Sequence, residues 1–303
     1  MPTLLWSLTV GLANFVVMVF GPMIGAIADH RASKKSFLMV SCVGCIAATA
    51  LLSLVEPGDV LLAMVLVSCS TMMFALGENL IAAFLPELVP KENMGRMSGY
   101  GWSIGYFGGL LSLGSCLWFI QWGQKQGLID TEIIPVTLLI TAAIFAIAVT
   151  PTFIWLHERA TAQPKEESIS YFRISYNRLR HTFMQAMHFQ DLFRFLLTLA
   201  VYQSGVSTVV VLAAIYAQEV MAFGQQELII LIMVVNVTAA VGAFVCGHLQ
   251  DKIGSVATLS ITLVLWIIAI LTAVVATLPI HMWISGNLIG IAMGASQSVG
   301  RAL

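Results

Sequence analysis

Gly25-Ala26-Ile27-Ala28-Asp29 closes a long apolar run and opens a basic turn, His30-Arg31-Ala32-Ser33-Lys34-Lys35. The same frame returns as Gly247-His248-Leu249-Gln250-Asp251, followed by Lys252-Ile253-Gly254-Ser255. The shift that carries Gly25 onto Gly247 also carries Asn14 onto Asn236, Val19 onto Val241 and Ser33 onto Ser255. These identities are few. Their common place at the exit of a hydrophobic span makes them the mark of a duplicated membrane unit.

Composition agrees. Apolar residues make up 59% of the 303-residue chain and charged residues 10%, against roughly 25% charged in an ordinary soluble domain. Nine apolar stretches run over 4–28, 37–55, 60–85, 99–120, 133–156, 192–217, 227–249, 256–278 and 282–303. Most approach or exceed the ~20 residues a helix needs to cross hydrocarbon. They lack the alternation of a barrel strand, so the expected fold is an all-α membrane bundle of about nine transmembrane helices.

Lys and Arg set the orientation. Of the 14 in the chain, all but Lys125 fall on one side of the spans, including Arg31, Lys34, Lys35, Lys91, Arg96, Arg194, Lys252 and Arg301. The positive-inside rule makes that side cytoplasmic. The first residue then lies outside, which leads to the expectation of a further helix in front of it. The long connection over 157–191 divides the chain into a front half-bundle, 1–156, and a back half-bundle, 192–303. It reads either as a solvated cytoplasmic linker or, over 170–190, as an amphipathic helix at the interface.

Several chemistries find no support. Cys42-x-x-Cys45 has redox or metal spacing, but no second pair or nearby His accompanies it, and the five cysteines read as small packing residues. His157-Glu158 lacks the second His of a zinc protease, and no glycine loop with a Lys is present to cradle phosphates. The chain reads as no enzyme, with no metal and no cofactor. The net charge of −1 identifies no partner, and none of nucleic acid is expected.

The chain resembles the major facilitator superfamily. Its members have two six-helix halves and a Gly-x-x-x-Asp-(Arg/Lys)-x-Gly-(Arg/Lys)-(Arg/Lys) signature between helices 2 and 3, repeated more weakly between helices 8 and 9. Gly25, Asp29, Lys34 and Lys35 fit the first copy, from which His30 and Ala32 depart; Gly247, Asp251, Lys252 and Gly254 fit the second. More narrowly, it looks like the vacuole effluxer (autophagy-related amino-acid efflux) branch and its bacterial relatives. Ala83-Phe84-Leu85-Pro86-Glu87, Gly95-Arg96-Met97-Ser98-Gly99-Tyr100-Gly101-Trp102, Tyr202-Gln203-Ser204-Gly205 and Gln297-Ser298-Val299-Gly300-Arg301 carry that likeness. Ile81-Ala82 and Ser204 depart from the branch, which tends to have Tyr-Asn and Asp there. The resemblance implies a register in which the nine spans are helices 2 to 10 of a longer transporter, so that the sequence is a fragment.

Candidate residues follow. Glu78 is the only carboxylate well inside a predicted span, roughly 12 Å from the Pro86 exit at the helical rise. With Asn79 it reads either as a proton-coupling or substrate-amine site or as a structural pair with an Arg. Asn14 and Asn236, equivalent under the repeat, either line a cavity or hydrogen-bond between helices. Tyr202, Gln203 and Gln297 have the same two readings, and Arg301 stands opposite Asn79 under the repeat. The glycines at 101, 105, 108 and 109, and at 286, 290 and 294, form small-residue stripes that allow close helix contact. Asp29 and Asp251, at helix ends, suit the free N–H groups of a neighbouring helix. By resemblance those neighbours are helix 11 and helix 5 and the contacts close an inner gate; the plainer alternative is a topology-fixing turn.

The reading is a secondary transporter working by alternating access. Its expected partners are membrane lipid, a small-molecule substrate and protons as coupling ion. By resemblance the substrate is an amino acid or similar metabolite, exported across a cytoplasmic inner membrane, or a vacuolar one in a eukaryote. A non-transporting receptor on the same fold and an inactive truncated product are the alternatives.

Overall fold

A computed structural model of the chain describes residues 2–158 and 187–301, together with 176, 180, 184 and 185. Every regular element among them is helical. The long helices are α1 (Pro2–Arg31), α2 (Lys34–Leu51), α3 (Val60–Ala82), α4 (Met94–Lys125), α5 (Asp130–Trp155), α6 (Gln190–Glu219), α7 (Gln225–Ile253), α8 (Ser255–Val274) and α9 (Pro279–Arg301). Each answers to one predicted stretch, and α4 extends beyond its stretch at both ends. A single turn, Leu85–Leu88, and a 3-10 turn, Lys91–Asn93, bridge α3 and α4. All of the long helices except α9 are both long and apolar enough to cross a membrane. The protein is an integral, multi-pass, all-α membrane bundle.

The interior of a bilayer offers backbone groups no partners, and helices satisfy them internally. Many span hydroxyls do the same with their own helix: Thr141 donates to Thr137 O, Ser204 to Ala200 O and Thr208 to Ser204 O. Large apolar side chains point outward, with Leu61 76% and Trp155 74% exposed. Such a surface belongs in lipid rather than water.

The helices separate by contact into two compact units. The first comprises Met1–Phe84 with Trp118–Arg194, and the second Leu85–Leu117 with Phe195–Leu303. Division by contact thus counts most of α4 with the helices of the back half-bundle. Most of the linker 157–191, and of the surface helix read over 170–190, falls outside the described residues.

In the first unit α2 packs on α3 and α5, and α1 packs on α3. Ala28, Leu38, Cys42, Leu80 and Phe84 form its buried cluster, flanked by Phe145, Val149 and Phe153. Cys42 and Cys45 are buried free thiols. In the second unit α9 lies against α7 and α8. Glycine sets that contact: a Cβ on Gly290 would run into Thr238, and one on Gly294 into the backbone of Ala239. Gly286 meets Leu231, and Gly242 meets the backbone of Ile291. The stripe on α4 behaves differently. Only Gly109 has a neighbour, Asn236 Oδ1, whereas nothing lies within 4 Å of a Cβ at Gly101, Gly105 or Gly108.

Candidate functional site

The second Gly-x-x-x-Asp turn holds the N-terminus of α4. Asp251 Oδ1 accepts the Gly95 amide at 3.0 Å, and Oδ2 accepts the Arg96 amide and the Arg96 Nε, each at 3.1 Å. A helix N-terminus has N–H groups without intrahelical partners and a positive dipole end, so a carboxylate there makes charge-assisted bonds. The Asp251 side chain is only 6% exposed. Glycine admits it: a Cβ on Gly95 would lie 2.5 Å from Asp251 Oδ1, and one on Gly247 would lie 2.7 Å from Gly95 O. Gly99 approaches the same helix, 2.7 Å from Ala243 O on the same measure.

Further contacts extend this clamp. Ser98 donates to Ser298 O at 2.7 Å. His248 Nδ1 faces Phe244 O at 2.8 Å, so it carries the proton, and Nε2 accepts from the Tyr100 hydroxyl at 3.2 Å. Gly254, with φ +88°, stands between α7 and α8 in a conformation that favours glycine. Lys252 beside it is exposed.

Deeper along α4, Tyr106 donates to Gln297 Oε1 at 2.7 Å. The Arg301 guanidinium carbon lies 4.7 Å from the Trp102 ring centre, within cation–π range. Asn236 donates to Ile232 O at 2.8 Å, bonding along its own helix. On α6, the Tyr202 hydroxyl is buried with no hydrogen-bond partner among the described residues, while Gln203 is exposed.

The first turn is built differently. Asp29, 48% exposed at its side chain, pairs with Lys34 Nζ at 3.0 Å within its own turn. Among the described residues, no side chain or neighbouring helix comes within 4 Å of a Cβ on Gly25. The N-terminus of α2 is held instead by Glu158, which accepts the amides of Lys34 at 2.7 Å and Lys35 at 3.3 Å. Glu78 is half-buried on α3 one turn before its end at Ala82, Asn79 beside it is exposed, and Asn14 is exposed on α1.

The structure therefore brings Gly247 and Asp251 to α4, and Gln297 and Arg301 to α4 as well. It places Glu78, Asn79, Asn14, Gly25, Asp29, Lys34 and Lys35 in the first unit. Sequence reasoning passes over Tyr106, Glu158 and the role of Trp102. An aromatic in an apolar span reads as core, and nothing local tells that Glu158 meets α2 more than a hundred residues back.

Paired long helices, a duplicated turn and a carboxylate on a helix N-terminus are features of a major-facilitator-type membrane transporter. The family described as "Vacuole effluxer Atg22 like" matches residues 5–303, and the chain belongs to it. It is also similar to a relative described as "Uncharacterized MFS-type transporter YxiO" of Bacillus subtilis (strain 168), 26% identical over 302 residues, which covers 97% of this chain and 68% of that protein. These relatives are transporters and not enzymes. Among the described residues no cluster of three or more His, Cys, Asp or Glu is placed to hold a metal.

Proposed function

We propose that the chain exports a small solute, an amino acid or similar metabolite, by alternating access driven by protons. The two half-bundles, 1–156 and 192–303, would be the moving parts of that cycle, in an inner membrane or in a vacuolar one in a eukaryote. Family membership supports a secondary transporter, and the word effluxer in the family description supports export. The observation that carries the mechanism is the Asp251 clamp on Gly95 and Arg96. A carboxylate bonded only to main-chain amides and one guanidinium is a contact that can break and re-form, as a gate must. Glu78, half-buried in α3, is the proton carrier in this reading, since carboxylates within spans are costly and mark proton relays as well as paired sites. Asn79, Asn14, Asn236, Tyr202 and Gln203 are the further polar candidates for the solute path.

Reconstitution in proteoliposomes tests it. A pH gradient should drive net flux of labelled leucine, or of another member of a labelled L-amino-acid panel. Glu78→Gln keeps size and hydrogen bonding but cannot titrate. It should abolish gradient-driven flux and spare exchange of solute for solute. Full gradient-driven flux in Glu78→Gln removes the coupling role. Absence of flux across the whole panel in the unaltered protein overturns the amino-acid reading and favours a receptor on the same fold.

A further inference from the structure

Gln297 and Arg301 lie one helical turn apart on α9, and each is met by an aromatic residue of α4. The two aromatics, Tyr106 and Trp102, are also one turn apart, in antiparallel order. One turn earlier on α4 Ser98 also reaches α9, outside that register, its hydroxyl donating to Ser298 O. Residues four apart share a helix face, so Ser98, Trp102 and Tyr106 form one edge of α4 applied to α9. Gly101, Gly105 and Gly108 form another edge that, among the described residues, no side chain or neighbouring helix approaches within 4 Å of a Cβ.

Packing alone does not explain these side chains. Tyr106 is 8% exposed and its ring sits among Ala239, Ala240 and Ala243, where phenylalanine would fill the same space. The hydroxyl adds a bond to an amide oxygen on α9. Trp102 likewise adds a π face to a guanidinium that hydrocarbon would penalise. Both polar groups on α9 are thus engaged by α4.

We propose that Trp102 and Tyr106 are positioning residues that hold Arg301 and Gln297 against α4 in this conformation, and that releasing them presents the two α9 side chains to the transported solute. The role in presentation rests on the transport reading above; the latch itself does not. Tyr106 then belongs to the transport machinery although it touches no solute. Contact with α4 and contact with solute exclude each other at Gln297 Oε1 in the simplest cycle, so the latch sets the fraction of molecules ready to bind.

The test uses a Gly108→Cys reporter on the open edge of α4, on the side of the helix away from Tyr106. Its labelling by a membrane-impermeant maleimide is followed in inside-out vesicles. One net hydrogen bond governs about a two- to tenfold change in a conformational equilibrium. Tyr106→Phe, which keeps the ring, should speed labelling by that factor, and Gln297→Leu should do the same. The double variant should go no further than either single one. Trp102→Leu should speed labelling and Trp102→Phe, which retains a π face, should do so less. Unchanged labelling in Tyr106→Phe, or a double variant showing the product of the single effects, overturns the latch. Labelling needs no solute, so it is independent of flux. Leucine flux in the same variants should change in KM more than in maximal rate. If no amino acid moves in the unaltered protein while the labelling pattern holds, the transport reading fails and the latch stands.

Discussion

Asp251 is almost withdrawn from solvent and takes three donors from the start of α4, whereas Asp29, its counterpart in the repeat, is half exposed and answers a lysine of its own turn. The glycines that open the two turns differ in the same way. Gly247 is pressed against the backbone of Gly95 and Gly99, while nothing crowds Gly25. One sequence frame thus specifies a helix end with a carboxylate and a small residue four positions before it, and no more. Whether that end becomes a clamp depends on the helix brought to it. The first unit holds the N-terminus of α2 all the same, but with Glu158 from beyond α5. The halves share a task and assign it to different parts of the chain.

The sharpest way to break the comparison is at the glycines. Gly247→Ala forces a methyl group to 2.7 Å from Gly95 O and 3.0 Å from Gly99 Cα, backbone atoms that cannot swing aside. Overpacking of this kind costs about 1–3 kcal/mol or more. Gly25→Ala enters open space inside a helix, where the change should lie within about ±0.5 kcal/mol or be slightly favourable. Thermal unfolding midpoints of the purified variants in one detergent decide; equal shifts would erase the distinction between the turns.

Next come the carboxylates. Asn at 251 has one acceptor oxygen where the carboxylate has two, and it loses the charge that meets the α4 dipole and Arg96. Hydrogen bonds to charged groups contribute about 1.5–3 kcal/mol, so Asp251→Asn should destabilise the second unit by that order. Asp29→Asn removes the half-exposed partner of Lys34, whose own side chain is 11% exposed; with the carboxylate open to water the contribution should be about 1 kcal/mol or less. Hydrogen exchange offers a local reading: the Gly95 and Arg96 amides should exchange faster in Asp251→Asn and be unmoved by Asp29→Asn. Faster exchange in both would mean that the second turn holds no more than the first.

A third change sharpens the comparison from the other side. Glu158→Gln retains an acceptor and loses the charge at the α2 N-terminus, a change of roughly 0.3–1 kcal/mol. Exchange at Lys34 and Lys35 should rise several-fold while Gly95 and Arg96 stay as they were. No change at Lys34 and Lys35 would show that the carboxylate is incidental.

The helices themselves are legible in the sequence because a lipid-spanning run of apolar residues has one way to satisfy its backbone. Their partners are harder to read. The stripe at 286, 290 and 294 is spaced like that at 101, 105 and 108, yet only the first is filled by another helix. Small residues permit close approach without stating which neighbour makes it. Asp251 announces itself because a carboxylate at a helix end after a glycine is rare in so apolar a chain. Glu158 and Tyr106 do not, since each has meaning only through a residue distant in sequence, Lys34 in one case and Gln297 in the other. Asn14 and Asn236 pair under the repeat, but one is exposed and the other half-buried, so sequence symmetry does not extend to their surroundings.

The hydroxyl groups that bond back along their own helices bear on how such a protein is made. Thr141, Thr150, Ser204, Thr208 and Ser260 each donate to the carbonyl one turn earlier. A segment leaving the ribosome with its polar atoms already satisfied can enter the bilayer alone, without waiting for a neighbour to be synthesised. These serines and threonines then give a newly inserted segment no reason to choose one companion over another. Docking then needs contacts of another kind, and between α7 and α9 the main chains can touch only because Gly242, Gly290 and Gly294 carry no side chain.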